Sequence, residues 1–164
     1  MEGRRDPTID TASVRPTPWA AYAVCAWALG FAVVSFFWAA GGTLGVHTIA
    51  AQPEKLASPR ALWIIGLMKL LPGLLALALV LPWGRVLPHG VLRVVAMTVG
   101  GLLILYGGAN LVDHGLMAAD VTHTPAVLGR TAVRWHLLLW DPWWVLGGLL
   151  MIATARSVNA RTER

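Results

Sequence analysis

The chain has 164 residues, of which 57% are apolar and only 13% are charged. Soluble domains have roughly 25% charged residues, so this composition is typical of an integral membrane protein with room for one small helical bundle. The formal net charge is +5, and the basic residues lie mainly in the tails and short loops. Basic residues in such places are typical of topology signals and of contact with lipid headgroups. Nucleic-acid binding is therefore not expected. The single cysteine, Cys25, excludes an internal disulfide, a paired-cysteine redox site and a thiolate zinc site.

Four long apolar segments follow one another between two polar tails. The predicted spans are residues 19–41, 61–82, 94–119 and 135–155; the tails are residues 1–18, predicted to be disordered, and 156–164. Each span can cross a bilayer as a helix, which takes ~20 residues. The first span is longer than the apolar core of a cleaved signal peptide, about 7–15 residues, so we expect it to be retained. The sequence predicts an all-α fold with one transmembrane four-helix domain over residues 19–155, in contact with the lipid bilayer.

The distribution of basic residues predicts the orientation of the spans. The two tails and the turn between the second and third spans hold Arg4, Arg5, Arg15, Arg85, Arg93, Arg156, Arg161 and Arg164. The other two loops hold Lys55, Arg60, Arg130 and Arg134. Because basic residues favour the cytoplasmic side, we expect both termini in the cytoplasm and an up-down-up-down bundle in the cell (inner) membrane.

The fourth span contains an acidic residue, Asp141, followed directly by Pro142. A charge in hydrocarbon costs at least ~2.5 kcal/mol, so Asp141 needs a partner, a proton or water. Pro142 cannot donate a hydrogen bond to the carbonyl of Leu138, which leaves that oxygen available for another partner. Tryptophans 140, 143 and 144 flank the pair. This stretch is the first candidate for a functional site.

Ionisable residues of three spans are predicted to lie at one level, in the outer half of the membrane. Lys69 would lie about 12 Å deep, and Asp113 and Asp141 about 9 Å deep, at the usual helical rise. Two readings stay open. Lys69 pairs with one aspartate and holds the bundle in register, or the aspartate without a countercharge stays protonated in a dry site and serves as a general acid.

The remaining candidates are polar and aromatic side chains near this level. Asn110, Asp113, His114 and Met117 share one face of a helix, with Tyr106 one turn earlier. His136 lies just above Asp141. The deep tryptophans, Trp27, Trp140, Trp143 and Trp144, either pack together or line a cavity in which indole faces stabilise a cation. His114, His136 and Asp113 are conceivable metal ligands, but their spacing matches no recognised motif, so neither a metal nor a cofactor is predicted.

Two stretches, LYGGANL at 105–111 and WHLLLWDPWW at 135–144, resemble a family of small four-helix membrane proteins. The family is common in actinobacteria and is catalogued as a domain of unknown function. AAGG at 39–42 and the span of Lys69 also fit its pattern, and the similarity covers roughly residues 19–155. The resemblance implies the four-helix membrane fold and implies no activity. More weakly, acids and aromatic rings in an apolar bundle are similar to small integral-membrane terpene cyclases, without a motif match.

Three functions are compatible with these residues. In an acid-initiated isoprenoid (meroterpenoid) cyclase, Asp113 or Asp141 would protonate a prenylated small molecule. Its predicted substrate-binding residues are Tyr106, Asn110, Trp27, Trp140, Trp143, Trp144, His114, His136 and Lys69. In a proton-coupled binding or transport protein for a small molecule or lipid, Lys69 and the aspartates would form the site within a homo-oligomer. In a non-catalytic membrane subunit, the same charges would serve assembly alone.

Overall fold

The computed structural model describes residues 18–55 and 57–162, with side chains described up to residue 157. Within these ranges every regular element is a helix. The α-helices are α1 (Trp19–Ala39), α2 (Pro59–Val80), α3 (His89–Ala118), the short α4 (Gly129–Trp135) and α5 (Asp141–Thr162). A π-helical turn at His136–Trp140 joins α4 to α5. Short 3₁₀ turns at Val46–Thr48, Pro53–Lys55 and Pro82–Val86 lie in the connections. The predicted disordered tail lies outside the described residues, apart from Pro18.

Proline and a capping serine determine where the helices begin. The Ser58 hydroxyl accepts a hydrogen bond of 3.3 Å from the backbone N–H of Ala61, and Pro59 occupies the first turn of α2, where no N–H is needed. Helix α3 begins at His89, directly after Pro88, so it includes part of the stretch that the sequence predicts as a turn. Helix α5 likewise runs on into the predicted C-terminal tail.

Among the residues that the structure describes, four helical segments are long and apolar enough to cross a membrane. They are Trp19–Ala39, Pro59–Val80, His89–Ala118 and Gly129–Ser157, the last of which includes α4, the π-helical turn and α5. The expectation of an all-helical protein with four apolar helices is therefore confirmed. The chain has the helices of a multi-pass membrane protein.

The backbones of helices α3 and α5 are in direct contact at Gly100 and Gly148. A Cβ added at Gly100 would lie 3.0 Å from the Gly148 carbonyl oxygen, and a Cβ added at Gly148 would lie 2.6 Å from the Gly100 oxygen. Only residues without side chains permit this contact, as is common between membrane helices. The next residue, Gly101, has no atom within 4 Å of an added Cβ and faces away from α5.

The bundle interior changes in character along its length. One end is filled by a cluster of buried small and aliphatic side chains from α1, α2, α3 and α5: Ala21, Val24, Ala76, Ala78, Leu79, Leu92, Ala96, Met151 and Ala155. Aromatic side chains around Trp27 and Phe31 follow. Beyond them, the loop after α1 contacts the loop after α3, where the N–H of Ala51 donates to the Leu128 carbonyl at 2.8 Å. Polar side chains collect below these two loops.

Candidate functional site

The π-helical turn brings His136 and Asp141 together. The backbone N–H of Asp141 donates to the carbonyl of His136, five residues earlier. In an α-helix, residues five apart point in different directions, because each residue advances by about 100°. The wider turn places both side chains on one side. Pro142 favours it, since this residue has no N–H with which to continue the α-helical pattern.

Helix α3 supplies a second imidazole to the same carboxylate. His114 Nδ1 lies 2.7 Å from Asp141 Oδ2, and His136 Nδ1 lies 3.4 Å from Asp141 Oδ1. The two imidazole rings stack with their centroids 4.4 Å apart. Asp141 is 1% exposed and His114 is 7% exposed. We call His114, His136 and Asp141 the acid–histidine cluster.

The backbone of α3 lies against the start of α5 at this level. A Cβ added at Gly107 would come 2.8 Å from the Asp141 carbonyl oxygen. His114 lies seven residues after Gly107, on the same face of α3, and therefore also points towards α5. The missing side chain at residue 107 is what lets the imidazole of His114 reach the carboxylate.

The hydrogen-bond partners of His136 fix which of its nitrogens carries a proton. His136 Nε2 lies 3.3 Å from the Ile49 carbonyl oxygen, which can only accept, so Nε2 carries the hydrogen. In the neutral ring, Nδ1 is then an acceptor that faces Asp141 Oδ1, a second acceptor. Two acceptors repel unless a positive centre, a proton or a metal ion, lies between them. Either a second proton on His136 or a bound ion meets this requirement.

The loop after α1 covers the cluster. Trp140, the last residue of the π-helical turn, donates from its indole nitrogen to the Thr48 hydroxyl at 3.2 Å. Thr48 in turn donates to the Gly45 carbonyl at 2.6 Å. Together with the bond from His136 to Ile49, these contacts hold residues 45–49 over the buried carboxylate.

A second polar cluster surrounds Lys69. Its ammonium donates to the Ser35 hydroxyl at 2.9 Å and lies 3.6 Å from the centroid of the Phe31 ring. Phe31 contacts Trp144, with centroids 4.6 Å apart, and stacks on Trp140 at 5.8 Å. The aromatic side chains thus stabilise a cation that the protein itself provides. Within the described part of the chain, no ion pair joins Lys69 to a carboxylate, so the first of the two readings left open by the sequence, a pair with an aspartate, finds no support in the structure.

The other predicted site residues lie apart from the acid–histidine cluster. Asp113 is exposed on α3. Asn110 donates to the Tyr106 carbonyl at 3.0 Å within its own helix, and the half-exposed Tyr106 ring contacts the edge of Trp144 at 5.2 Å. Trp27 donates from its indole nitrogen to the Trp143 carbonyl at 2.8 Å, so it joins α1 to α5.

Sequence reasoning missed three contributors to these two clusters. Ser35 and Phe31 hold Lys69, and their spacing of four residues on an uncharged helix was the available signal. The Ile49 carbonyl, which orients His136, belongs to a loop without a periodic pattern and gave none.

The family described as "Protein of unknown function (DUF3995)" matches residues 28–151, and the chain belongs to this family. This match confirms the resemblance drawn from the sequence. No curated protein and no solved structure matches the chain. The matched range includes all three residues of the acid–histidine cluster, and the family description names no activity. The function has to be argued from the site.

Proposed function

We propose that this protein is a membrane protein that binds an inorganic cation at the acid–histidine cluster. The observation that carries the proposal is the approach of His136 Nδ1 to Asp141 Oδ1 at 3.4 Å, two atoms that are both acceptors when the neutral His136 ring carries its hydrogen on Nε2. The 3.4 Å separation leaves room for one ion that is bonded to both atoms at about 2.0–2.2 Å. Burial of the carboxylate keeps competing water away and strengthens its attraction for a cation.

We infer an up-down-up-down bundle in the cell membrane with both termini in the cytoplasm. The distribution of basic residues supports this orientation. The contact between the loops after α1 and α3, and the common core formed by the opposite ends of four helices, support the order of the helices. The acid–histidine cluster then lies just inside the outer surface, and its cation arrives from outside the cell.

An acid-initiated isoprenoid cyclase stays a prediction and ranks second. One observation favours it: an apolar cavity of about 260 Å³ lies beside Phe31, Trp140 and Trp143 and would accept a lipid-soluble molecule. Two observations favour the cation-binding protein instead. Both oxygens of Asp141 face imidazoles, and Lys69 already occupies a face of Phe31. A non-catalytic subunit would need neither the apolar cavity nor the acid–histidine cluster.

The test is thermal unfolding of the purified chain in detergent with Na⁺, K⁺, Mg²⁺, Ca²⁺, Mn²⁺ or Zn²⁺ at constant pH. An ion that binds only the folded state stabilises it by about 2.7 kcal/mol at a hundredfold excess over Kd. We expect at least one ion to raise Tm, and Asp141→Asn to abolish the rise. Asp113→Asn is the matched control, because it removes an exposed carboxylate from a neighbouring part of the bundle. If no ion raises Tm in an Asp141-dependent manner, the proposal is wrong.

A further inference from the structure

We propose that the ion is a divalent first-row transition metal of the zinc type, bound by His114, His136 and Asp141. This inference rests on the proposed function and names the class of its ligand. One donor atom from each of the three side chains can be chosen so that all lie within 4.8 Å of one another. Metal–ligand bonds of about 2.0–2.2 Å then reach all three after small side-chain movements.

The chemistry of the donors selects the class of ion. Two imidazole nitrogens and one carboxylate oxygen form a set that suits zinc and its first-row neighbours. Calcium takes six to eight oxygen ligands, and magnesium prefers oxygen donors and retained water. The cluster offers a single carboxylate, so these harder ions are poorly matched.

The surroundings of the cluster orient the donors as in a metal site. Ligating histidines usually donate their second ring N–H to a carbonyl or carboxylate, which directs the lone pair at the metal. His136 does this through its Nε2–H and the Ile49 carbonyl, which leaves Nδ1 for the ion. Gly107 fixes the distance between α3 and α5, and therefore the position of His114 relative to Asp141.

The number of protein ligands indicates an open site. Structural zinc sites are generally closed by four protein ligands, whereas sites that exchange or activate a ligand keep a position free. Three protein donors leave such a position here. The loop at residues 45–49 is the segment that contacts His136 at this end of the bundle, through the Ile49 carbonyl.

The experiment uses the full chain, purified on a histidine-free tag and stripped of metal with a chelator. Zn²⁺ and Co²⁺ are added separately, bound metal is counted by mass spectrometry, and Co²⁺ is followed by its visible absorption. We expect one ion per chain. His136→Gln or Asp141→Asn should weaken metal binding by about a hundredfold or more, because losing a residue that only orients a ligand already costs about tenfold to a hundredfold and these two residues are proposed ligands. His47→Gln and Asp113→Asn, at exposed positions, should bind like the unchanged protein.

A second measurement needs no variant. X-ray absorption of the zinc-loaded chain should show about two imidazole ligands and one or more oxygens at about 2.0–2.2 Å. The absence of stoichiometric Zn²⁺ and Co²⁺ binding overturns the inference. If Na⁺, K⁺, Mg²⁺ or Ca²⁺ raises the Tm of the unchanged protein but not that of Asp141→Asn, the proposed cation binding stands and only the inference of a zinc-type metal is overturned. If no ion does so, both are overturned.

Discussion

Gly107 lies against the backbone of Asp141, so closely that a Cβ on residue 107 would be 2.8 Å from the Asp141 carbonyl oxygen. This contact sets the distance between α3 and α5 at the level of the acid–histidine cluster. The next residue, Gly108, has no atom within 4 Å of an added Cβ. The two glycines are therefore a matched pair with which to test the packing.

Gly107→Ala should destabilise the protein by about 1–3 kcal/mol, the usual effect of overpacking, and should also weaken Co²⁺ binding. Gly108→Ala should leave stability unchanged or raise it by up to about 1 kcal/mol, because alanine favours helix more than glycine. Chemical denaturation in detergent micelles measures both. Equal effects of the two substitutions would show that α3 and α5 do not meet at residue 107.

Pro142→Ala should weaken cation binding without unfolding the bundle. The new N–H can donate to the Leu138 carbonyl and favours a regular α-helix over the π-helical turn, which would rotate His136 away from Asp141. We expect Co²⁺ binding to fall roughly tenfold to a hundredfold, the range for losing the orientation of a ligand.

Pro72→Ala is the control, since Pro72 also lies inside a helix but in α2. Its Co²⁺ affinity should equal that of the unchanged protein. Unaltered binding by Pro142→Ala would mean that the wide turn does not depend on the missing N–H.

The sequence predicts that Asp113 and Asp141 lie at one depth, and depth alone does not separate them. The decisive difference is rotation about α3, where His114 faces α5 and its neighbour Asp113 is about 100° away. Which face of α3 is buried depends on the position of α5, and that information is not local. The four helices follow from apolar length. Pro142 indicates an interruption of the helix but does not say that it is a π-helical turn, and no residue pattern predicts the position of the Ile49 carbonyl.

Trp140→Phe should loosen the loop over the cluster. The substitution keeps an aromatic ring but removes the hydrogen bond to Thr48, worth about 0.5–1.5 kcal/mol. Amide hydrogen exchange at residues 45–51 should become up to about tenfold faster. Thr48→Val should have a larger effect, because it also removes the bond from Thr48 to the Gly45 carbonyl. The double variant should be little worse than Thr48→Val alone, because the bond between the two side chains is already lost there.

Trp143→Phe is the matched control, because Trp143 lines the same apolar cavity as Trp140. Its loop should exchange at the original rate. Additive effects of Trp140→Phe and Thr48→Val would contradict a direct hydrogen bond between the two side chains.

Lys69→Met should leave stability within about 1 kcal/mol of the original or raise it. Methionine fills a similar volume, and the change removes a charge from the bundle interior while losing one hydrogen bond to Ser35 and a cation–π contact of about 0.5–2 kcal/mol. If Lys69 instead neutralised a buried aspartate, its loss would strand that carboxylate and cost about 3–5 kcal/mol. Denaturation of Lys69→Met beside Lys55→Met, which removes an exposed loop lysine, separates these outcomes. A loss near the larger value would restore the ion pair, and Lys69 would then supply the positive charge that the proposed function assigns to a bound ion.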